Sequence, residues 1–190
     1  SYNPTLDVGI KNLKIEFPHT MYPGHFKEHG YNALHFSDVS RCVAEDIEIT
    51  NADYGIFMDN TQFCTLKDIV INTSQERAND KNFSGHHAIT VSSGLYNVVR
   101  DFDIQTRFVH DLTVTTRSLV NVYSRGKGVD LNMDHHRDYL YANLFTEINI
   151  GDGTRPFHSS GYHDGGPHAG AYNTFWNISS KTRSEEHTSE

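Results

Sequence analysis

Six short segments of this chain can be laid over one another: "CVAEDIEI" (Cys42–Ile49), "CTLKDIVI" (Cys64–Ile71), "NVVRDFDI" (Asn97–Ile104), "NVYSRGKG" (Asn121–Gly128), "NLFTEINI" (Asn143–Ile150) and "NTFWNI" (Asn173–Ile178). Their first residues are separated by 22, 33, 24, 22 and 30 positions, so the basic period is 22 to 24 residues with insertions in two repeats. A period of that length means one small unit stacked on copies of itself, each covering the apolar face its neighbour cannot bury alone. Third positions (Ala44, Leu66, Val99, Tyr123, Phe145, Phe175) and sixth positions (Ile47, Ile69, Phe102, Gly126, Ile148, Ile178) are predicted to form inward stacks. The alternation within each segment is that of a β-strand. The Cys or Asn that opens each one suits a buried ladder, in which every side chain bonds the next parallel coil about 4.8 Å away.

This pattern resembles the right-handed parallel β-helix of the pectate-lyase-like superfamily, over roughly Leu6 to Ile178. The resemblance implies an all-β solenoid of 22- to 24-residue coils. Leucine-rich repeats share the period and the ladder, but they need a leucine comb that "DVSRC" and "NTQFC" lack. Cys42 and Cys64 fall on stacked ladder positions, where side chains point the same way and poorly suit a disulfide; buried free thiols are expected. Residues 1–182 are read as one partial domain. The last eight residues, "RSEEHTSE" (Arg183–Glu190), match an in-frame translation of a common sequencing-library adapter and are set aside. The chain opens at Ser1 without methionine, so the expectation is a shotgun fragment lacking caps, with apolar coil ends exposed.

The formal charge of -8 and the absence of a basic stripe exclude a nucleic-acid or anionic-membrane partner from the expected functions. No apolar stretch approaches the roughly 20 residues of a membrane helix. Two cysteines make neither a disulfide framework nor a zinc spacing. What stands out is histidine: 13 of them, against 16 Lys plus Arg.

Extra residues enter at one corner of the coil, after Ile15, Ile71 and Ile150: "EFPHTMYPGHFKEHGYN", "NTSQERANDKNFSGHH" and "GDGTRPFHSSGYHDGGPHAGAY". Eight histidines lie there: His19, His25, His29, His86, His87, His158, His163 and His168. Loops inserted at one corner of a solenoid line one side of it, where function concentrates. The strand that follows reads "ALHF", "GIFM", "AITV", "LTV" and "LNM" in successive coils. Period two then sends His35, Phe57, Thr90, Thr113 and Asn132 outward, followed by Asp59, Ser92, Thr115 and Asp134, as a polar floor with one aromatic. The opposite strand exposes Asp46, Asp68, Asp101 and Glu147 with Arg125 and Lys127, a solvated charged face given no role. "DHHRD" (Asp134–Asp138) is expected to form a raised rim facing the loops, about 15 Å away at roughly 3.3 Å per residue. "TRFVHD" puts Arg107, His110 and Asp111 at the foot of the loop wall.

A groove along such a helix resembles the substrate site of pectate lyases and polygalacturonases, which implies a glycan substrate and a secreted or periplasmic protein. Elimination beside a uronate needs a cation or donors on the carboxylate, a base for the α-proton and an acid for the leaving oxygen; His, Arg and Tyr fill such roles near neutral pH. Arg107, His110, Asp134, His135 and His136 are the catalytic candidates. His35, Phe57, Asp59, His86, His87, Asp111, Asp130, Asn132 and Arg137 are candidates for substrate contact, with Arg155, His158, Tyr162, His163 and His168 in the third loop. Hydrolysis would instead use two carboxyl groups about 5 to 9.5 Å apart, drawn from Asp59, Asp111, Asp130 and Asp134. A non-catalytic glycan-binding or adhesive solenoid is the alternative of a different class; irregular loops with titratable residues on one side favour an enzyme. Neither the calcium-binding aspartates and arginine base of pectate lyases nor the paired aspartates of polygalacturonases can be matched to positions here. No protein-held metal is expected, since adjacent histidines in "GHH" and "DHHRD" point to opposite faces and no acidic loop has calcium-ligand spacing; calcium bridging groove aspartates and an acidic substrate is the alternative.

Overall fold

In the computed structural model, which describes residues 3–79 and 83–182, every repeated segment is a strand of one sheet and the intervening floor segments are strands of another. The adapter-like stretch Arg183–Glu190 lies outside the described residues. In chain order the strands are β1 (Thr5–Leu6), β2 (Gly9–Glu16), β3 (Asn32–Ser40), β4 (Val43–Thr50), β5 (Tyr54–Gln62), β6 (Thr65–Asn72), β7 (His87–Ser92), β8 (Val98–Ile104), β9 (His110–Thr115), β10 (Val122–Gly128), β11 (Met133–His135), β12 (Leu144–Asn149) and β13 (Thr174–Ser179). One sheet runs β1-β3-β5-β7-β9-β11 and the other β2-β4-β6-β8-β10-β12-β13, all paired in parallel. The chain is all-β and crosses between the sheets coil after coil, an arrangement compatible with a parallel β-helix. No helix among the described residues is long and apolar enough to cross a membrane.

The repeat register is the one the sequence pattern predicts. Ala44, Leu66, Val99, Tyr123, Phe145 and Phe175 are successive parallel partners, and all but the last are buried. Ile47, Ile69 and Phe102 stack likewise. Gly126 belongs to this row because the Phe102 ring fills its place: a Cβ there would lie 2.0 Å from Phe102 Cζ.

Third and sixth positions are three residues apart, and a regular strand would turn them to opposite faces. A left-handed residue between them reverses the alternation. Asp46, Asp68, Asp101, Arg125, Glu147 and Asn177 have φ of 57, 54, 54, 50, 55 and 54°. Asp and Asn tolerate that conformation better than most residues. The acidic residues of the charged face therefore have a backbone reason to be there. Their ion pairs, such as Arg125 Nε to Asp101 Oδ1 at 2.8 Å, are exposed and each stabilises by about 0 to 1 kcal/mol.

The ladder is continuous. Cys64 N–H donates to Asn97 Oδ1 (3.0 Å), Asn97 N–H to Asn121 Oδ1 (3.0 Å), Asn121 N–H to Asn143 Oδ1 (3.0 Å) and Asn143 N–H to Asn173 Oδ1 (3.0 Å). Side-chain amides repeat the pattern: Asn97 Nδ2 donates to Asn121 Oδ1 at 3.0 Å and Asn121 Nδ2 to Asn143 Oδ1 at 3.0 Å. Cys42 and Cys64 are buried free thiols, and Cys42 N–H lies 3.3 Å from Cys64 Sγ.

Replacing Asn121 by Ala removes partners from the buried Asn97 and Asn143 groups as well as its own. Asn121→Ala is expected to lower unfolding free energy by about 2 to 4 kcal/mol, since each stranded buried group costs about 1 to 3. Arg125→Ala on the exposed face should change it by less than about 1 kcal/mol. Urea unfolding of both variants checks the contrast; equal effects would remove the ladder from its structural role.

Candidate functional site

The site is assembled by parallel register at the start of the floor strands. Tyr54, His87 and His110 are successive Cα partners on β5, β7 and β9. The next outward row is His35, Phe57, Thr90, Thr113 and Asp134. In that last position the structure departs from the sequence expectation. Met133, not Leu131, pairs with Leu112, so β11 sits two residues later than the "LTV"/"LNM" alignment predicts.

Loop 151–172 causes the shift by lying where a further floor strand would run. Met133 N–H donates to Pro156 O (2.8 Å), His135 N–H to Ser159 Oγ (3.0 Å) and Asn132 Nδ2 to His158 O (2.9 Å). Three corrections follow. Asn132 leaves the floor and is fully buried, with its Oδ1 accepting from Asp111 N–H at 2.7 Å. His135 takes the inward place beside Val114, is 3% exposed, and packs against Phe145 and Phe175 at ring distances of 5.4 and 5.3 Å. And "DHHRD" is not a rim far across a groove: Asp134 Oδ2 is 3.0 Å from His110 Nδ1 and 2.7 Å from His136 Nδ1.

A pocket of about 570 Å³ opens over this point. Its floor is Tyr54, His86, His87, His110 and His136; one inserted loop contributes His25 and Phe26, and another Ser160, Gly161 and Tyr162. The imidazoles touch. His87 stacks on His110 at 4.5 Å and on His86 at 4.7 Å, His25 meets His86 edge-on at 4.5 Å, and His136 meets His110 edge-on at 5.0 Å. Burial, aided by the neighbouring rings, pushes the His86 imidazole down to about 3 and that of His87 well below its ordinary range. Burial also opposes charge on Asp134, yet the close imidazoles of His110 and His136 outweigh it and hold that carboxyl well below the usual carboxylate range. Ser160 N–H also donates to Asp134 Oδ1, at 3.0 Å. Burial together with Glu28 and Asp53 pushes the Tyr54 hydroxyl up.

Arg107, Arg155, Asp111 and Asp130 form a separate ionic network beside the pocket, not part of its lining. Arg155 Nη2 reaches Asp111 Oδ2 at 2.6 Å, Arg107 Nη2 reaches Asp130 Oδ2 at 2.9 Å, and both guanidiniums lie about 5 Å over the Phe83 ring. Asp111 also accepts from Phe108 and Asn132 N–H, and Asp130 from Thr154. Burial pushes the Asp111 carboxyl up against the pull of Arg155. These ion pairs draw both arginines away from the pocket.

The remaining candidates are dispersed. His35 stands exposed with its ring 5.4 Å from Phe57, and Asp59 is half-buried in the row beyond. Arg137 donates to Gly166 O and lies 3.1 Å from His168 Nε2, while His168 Nδ1 meets His135 O at 3.0 Å. His158 and His163 are exposed and do not line the pocket. Sequence reasoning missed Tyr54, Glu28 and Ser160 and gave His25 no individual weight. Tyr54 carried a readable signal, since it opens a floor strand at the position His87 and His110 open theirs. A larger trough of about 640 Å³ lies over the left-handed bends of the other sheet, lined by Asp101, Asp103, Arg125 and Lys127 among others. Its charges pair with each other, Lys127 Nζ to Asp103 Oδ2 at 3.3 Å for one, and the Arg125–Asp101 pair accounts for the lowered Asp101 carboxyl there.

Two trios present metal-binding atoms within 4.8 Å of one another: His25, His86 and His110, and His110, Asp134 and His136. Both are dominated by imidazole nitrogen, which does not suit calcium, a cation that takes oxygen ligands. No family model matches this chain, and neither does any curated protein or solved structure.

Two substitutions separate scaffold from pocket. Arg155→Met strands the buried Asp111 and is expected to destabilise by about 3 to 5 kcal/mol, as loss of one partner from a buried pair does. His135→Phe keeps the aromatic stack and removes a buried Nε2 that has no hydrogen-bond partner, at the loss of the Nδ1 contact with Met133 O, so it should destabilise by no more than about 1.5 kcal/mol. Calorimetric melting of both variants tests this; an Arg155→Met protein as stable as the parent would mean that the arginine serves something other than the fold.

Proposed function

We propose that this chain is a right-handed parallel β-helix of the pectate-lyase-like kind and that it degrades a uronate-containing polysaccharide by β-elimination, as a secreted or periplasmic protein. The observation that carries the reading is Asp134, buried between His110 at 3.0 Å and His136 at 2.7 Å, beside a pocket walled by two inserted loops. A carboxylate on Nδ1 orients an imidazole and leaves Nε2 to accept a proton near neutral pH. His136, the more exposed of the two, is the base.

In the reaction His136 Nε2 takes the proton from the sugar carbon bearing the carboxylate. The electron pair left behind forms a carbon–carbon double bond, the bond from the adjacent carbon to the glycosidic oxygen breaks, and an acid protonates that oxygen. Tyr54 and Tyr162 line the same pocket. Tyr54 holds its proton, since burial pushes its hydroxyl up, and the alkoxide formed as the glycosidic bond breaks is basic enough to take it. Hydrolysis has less support: it needs an accessible protonated carboxyl. Asp134 is held ionised, and Asp111, though pushed up, is fully buried under Arg155.

The test follows new reducing ends and unsaturated-uronate absorbance together over a polysaccharide panel. Both signals are expected from the parent protein, with kcat lowered about 10²- to 10⁴-fold in His136→Gln, the range a general base contributes. Reducing ends without absorbance would replace elimination by hydrolysis. Binding without either signal would make this a non-catalytic glycan-binding solenoid.

A further inference from the structure

Among the described residues the pocket wall holds no arginine or lysine, and the two arginines nearest in the sequence pattern are closed onto Asp111 and Asp130. Three imidazoles from three separate segments converge instead: His25 from the first inserted loop, His86 from the residue before β7 and His110 from the start of β9. We propose that His25, His86 and His110 form a binding site for one divalent transition-metal ion of the zinc type, with an open coordination position facing the pocket.

Spacing is the first argument. His25 Nε2 and His86 Nε2 are 3.2 Å apart. Two nitrogens on a tetrahedral zinc, each about 2.0 to 2.1 Å from the ion, are separated by about 3.3 Å. One ring nitrogen of His110 completes a trio within 4.8 Å, a gap closed by rotation of an imidazole in a loop. The same approach can be a hydrogen bond between two neutral rings, in which a proton stands where the ion would.

The far sides of the rings are the second argument. His110 Nδ1 faces Asp134 Oδ2 at 3.0 Å, and His86 Nδ1 faces Glu28 Oε1 at 3.4 Å with the Tyr54 hydroxyl also at 3.4 Å. Metal-bound histidines characteristically give their other nitrogen to a carboxylate, which fixes the tautomer and aims the free lone pair. Two of these three rings have a carboxylate within 3.4 Å of that nitrogen, close enough to become such a partner when the ring is metal-bound. In the competing trio of His110, Asp134 and His136 the carboxylate is itself one of the three groups, so it is not left as an outer partner for the rings.

Three imidazoles with an open fourth position is a donor set for zinc, cobalt(II), nickel or copper, not for calcium or magnesium. The open side meets the pocket that Phe26, Tyr54 and Tyr162 line. An ion there would face an anionic sugar with the charge the engaged arginines do not provide, drawing electron density from the uronate carboxylate. That role rests on the elimination reading; the site itself does not.

Zinc titrated into chelator-treated protein by calorimetry, with no glycan present, tests the site. One equivalent is expected to bind. Glu28→Gln should weaken it about 10- to 100-fold, as loss of an outer carboxylate does. His25→Ala and His86→Ala should each weaken it further, and His163→Ala, altered outside the pocket, should leave it unchanged. Cobalt(II) added to the unaltered chain gives a second readout, an intense visible absorption typical of four-coordinate nitrogen sites. Absence of binding, binding that survives both His25→Ala and His86→Ala, or only the pale spectrum of six-coordinate cobalt would overturn the site. Full elimination by metal-free protein would overturn only the carboxylate role, whereas a protein that degrades no glycan yet binds zinc as described would keep the site and lose the reaction.

Discussion

Parallel register between successive coils is the constraint on which everything else depends, and the asparagine ladder enforces it. Each buried amide takes the backbone N–H of the coil before and gives its own protons onward, so a slip by one residue would strand a buried donor at every coil. Cysteine at the first two rungs keeps the row buried with a weaker acceptor. Because the ladder fixes where each coil starts, chemically like residues from distant parts of the chain arrive side by side. Tyr54, His87 and His110 meet for that reason and no other.

The same register that stacks isoleucines in the core stacks imidazoles at the corner, and the physical consequences differ. Apolar side chains in register gain contact and lose water. Imidazoles in register gain contact but cannot all be charged, since burial and mutual repulsion favour the neutral ring, as His86 and His87 show. Asp134 lies among them, held ionised by hydrogen bonds from His136 and Ser160 and by the close approach of His110. A pocket walled by imidazoles, with no arginine or lysine among its described lining residues, is poorly suited to binding an anion by itself. It is well suited to moving protons or to holding a soft or borderline cation.

Much of the fold was legible in the sequence because it is written six times. A period of 22 to 24 residues, an Asn or Cys opening each repeat and apolar residues at fixed offsets are enough to set strand identity, parallel pairing and the ladder. The Asp, Asn and Glu at the fifth position were read as a solvated face, whereas the structure gives them left-handed backbone that lets third and sixth residues point inward together. Histidine enrichment at one corner located the site's neighbourhood. Within that neighbourhood His110, His136 and Asp134 come together, while His135 and Asn132 do not, because strand parity in β11 was set by a loop and not by the repeat, and Arg107 does not because it pairs with Asp130.

Local pattern, then, determined what repeats: strands, stacks, ladder, free thiols and the side of the coil that carries insertions. These depend on interactions between equivalent positions, so each copy of the sequence reports on all the others. Tertiary structure alone decided what occurs once: the two-residue shift of β11, the closure of Arg155 and Arg107 onto Asp111 and Asp130, and the arrival of His25 and Glu28 beside His86. Those contacts join segments tens of residues apart through loops without a period. Their geometry follows from which buried polar groups can satisfy one another in three dimensions, and no spacing along the chain records it.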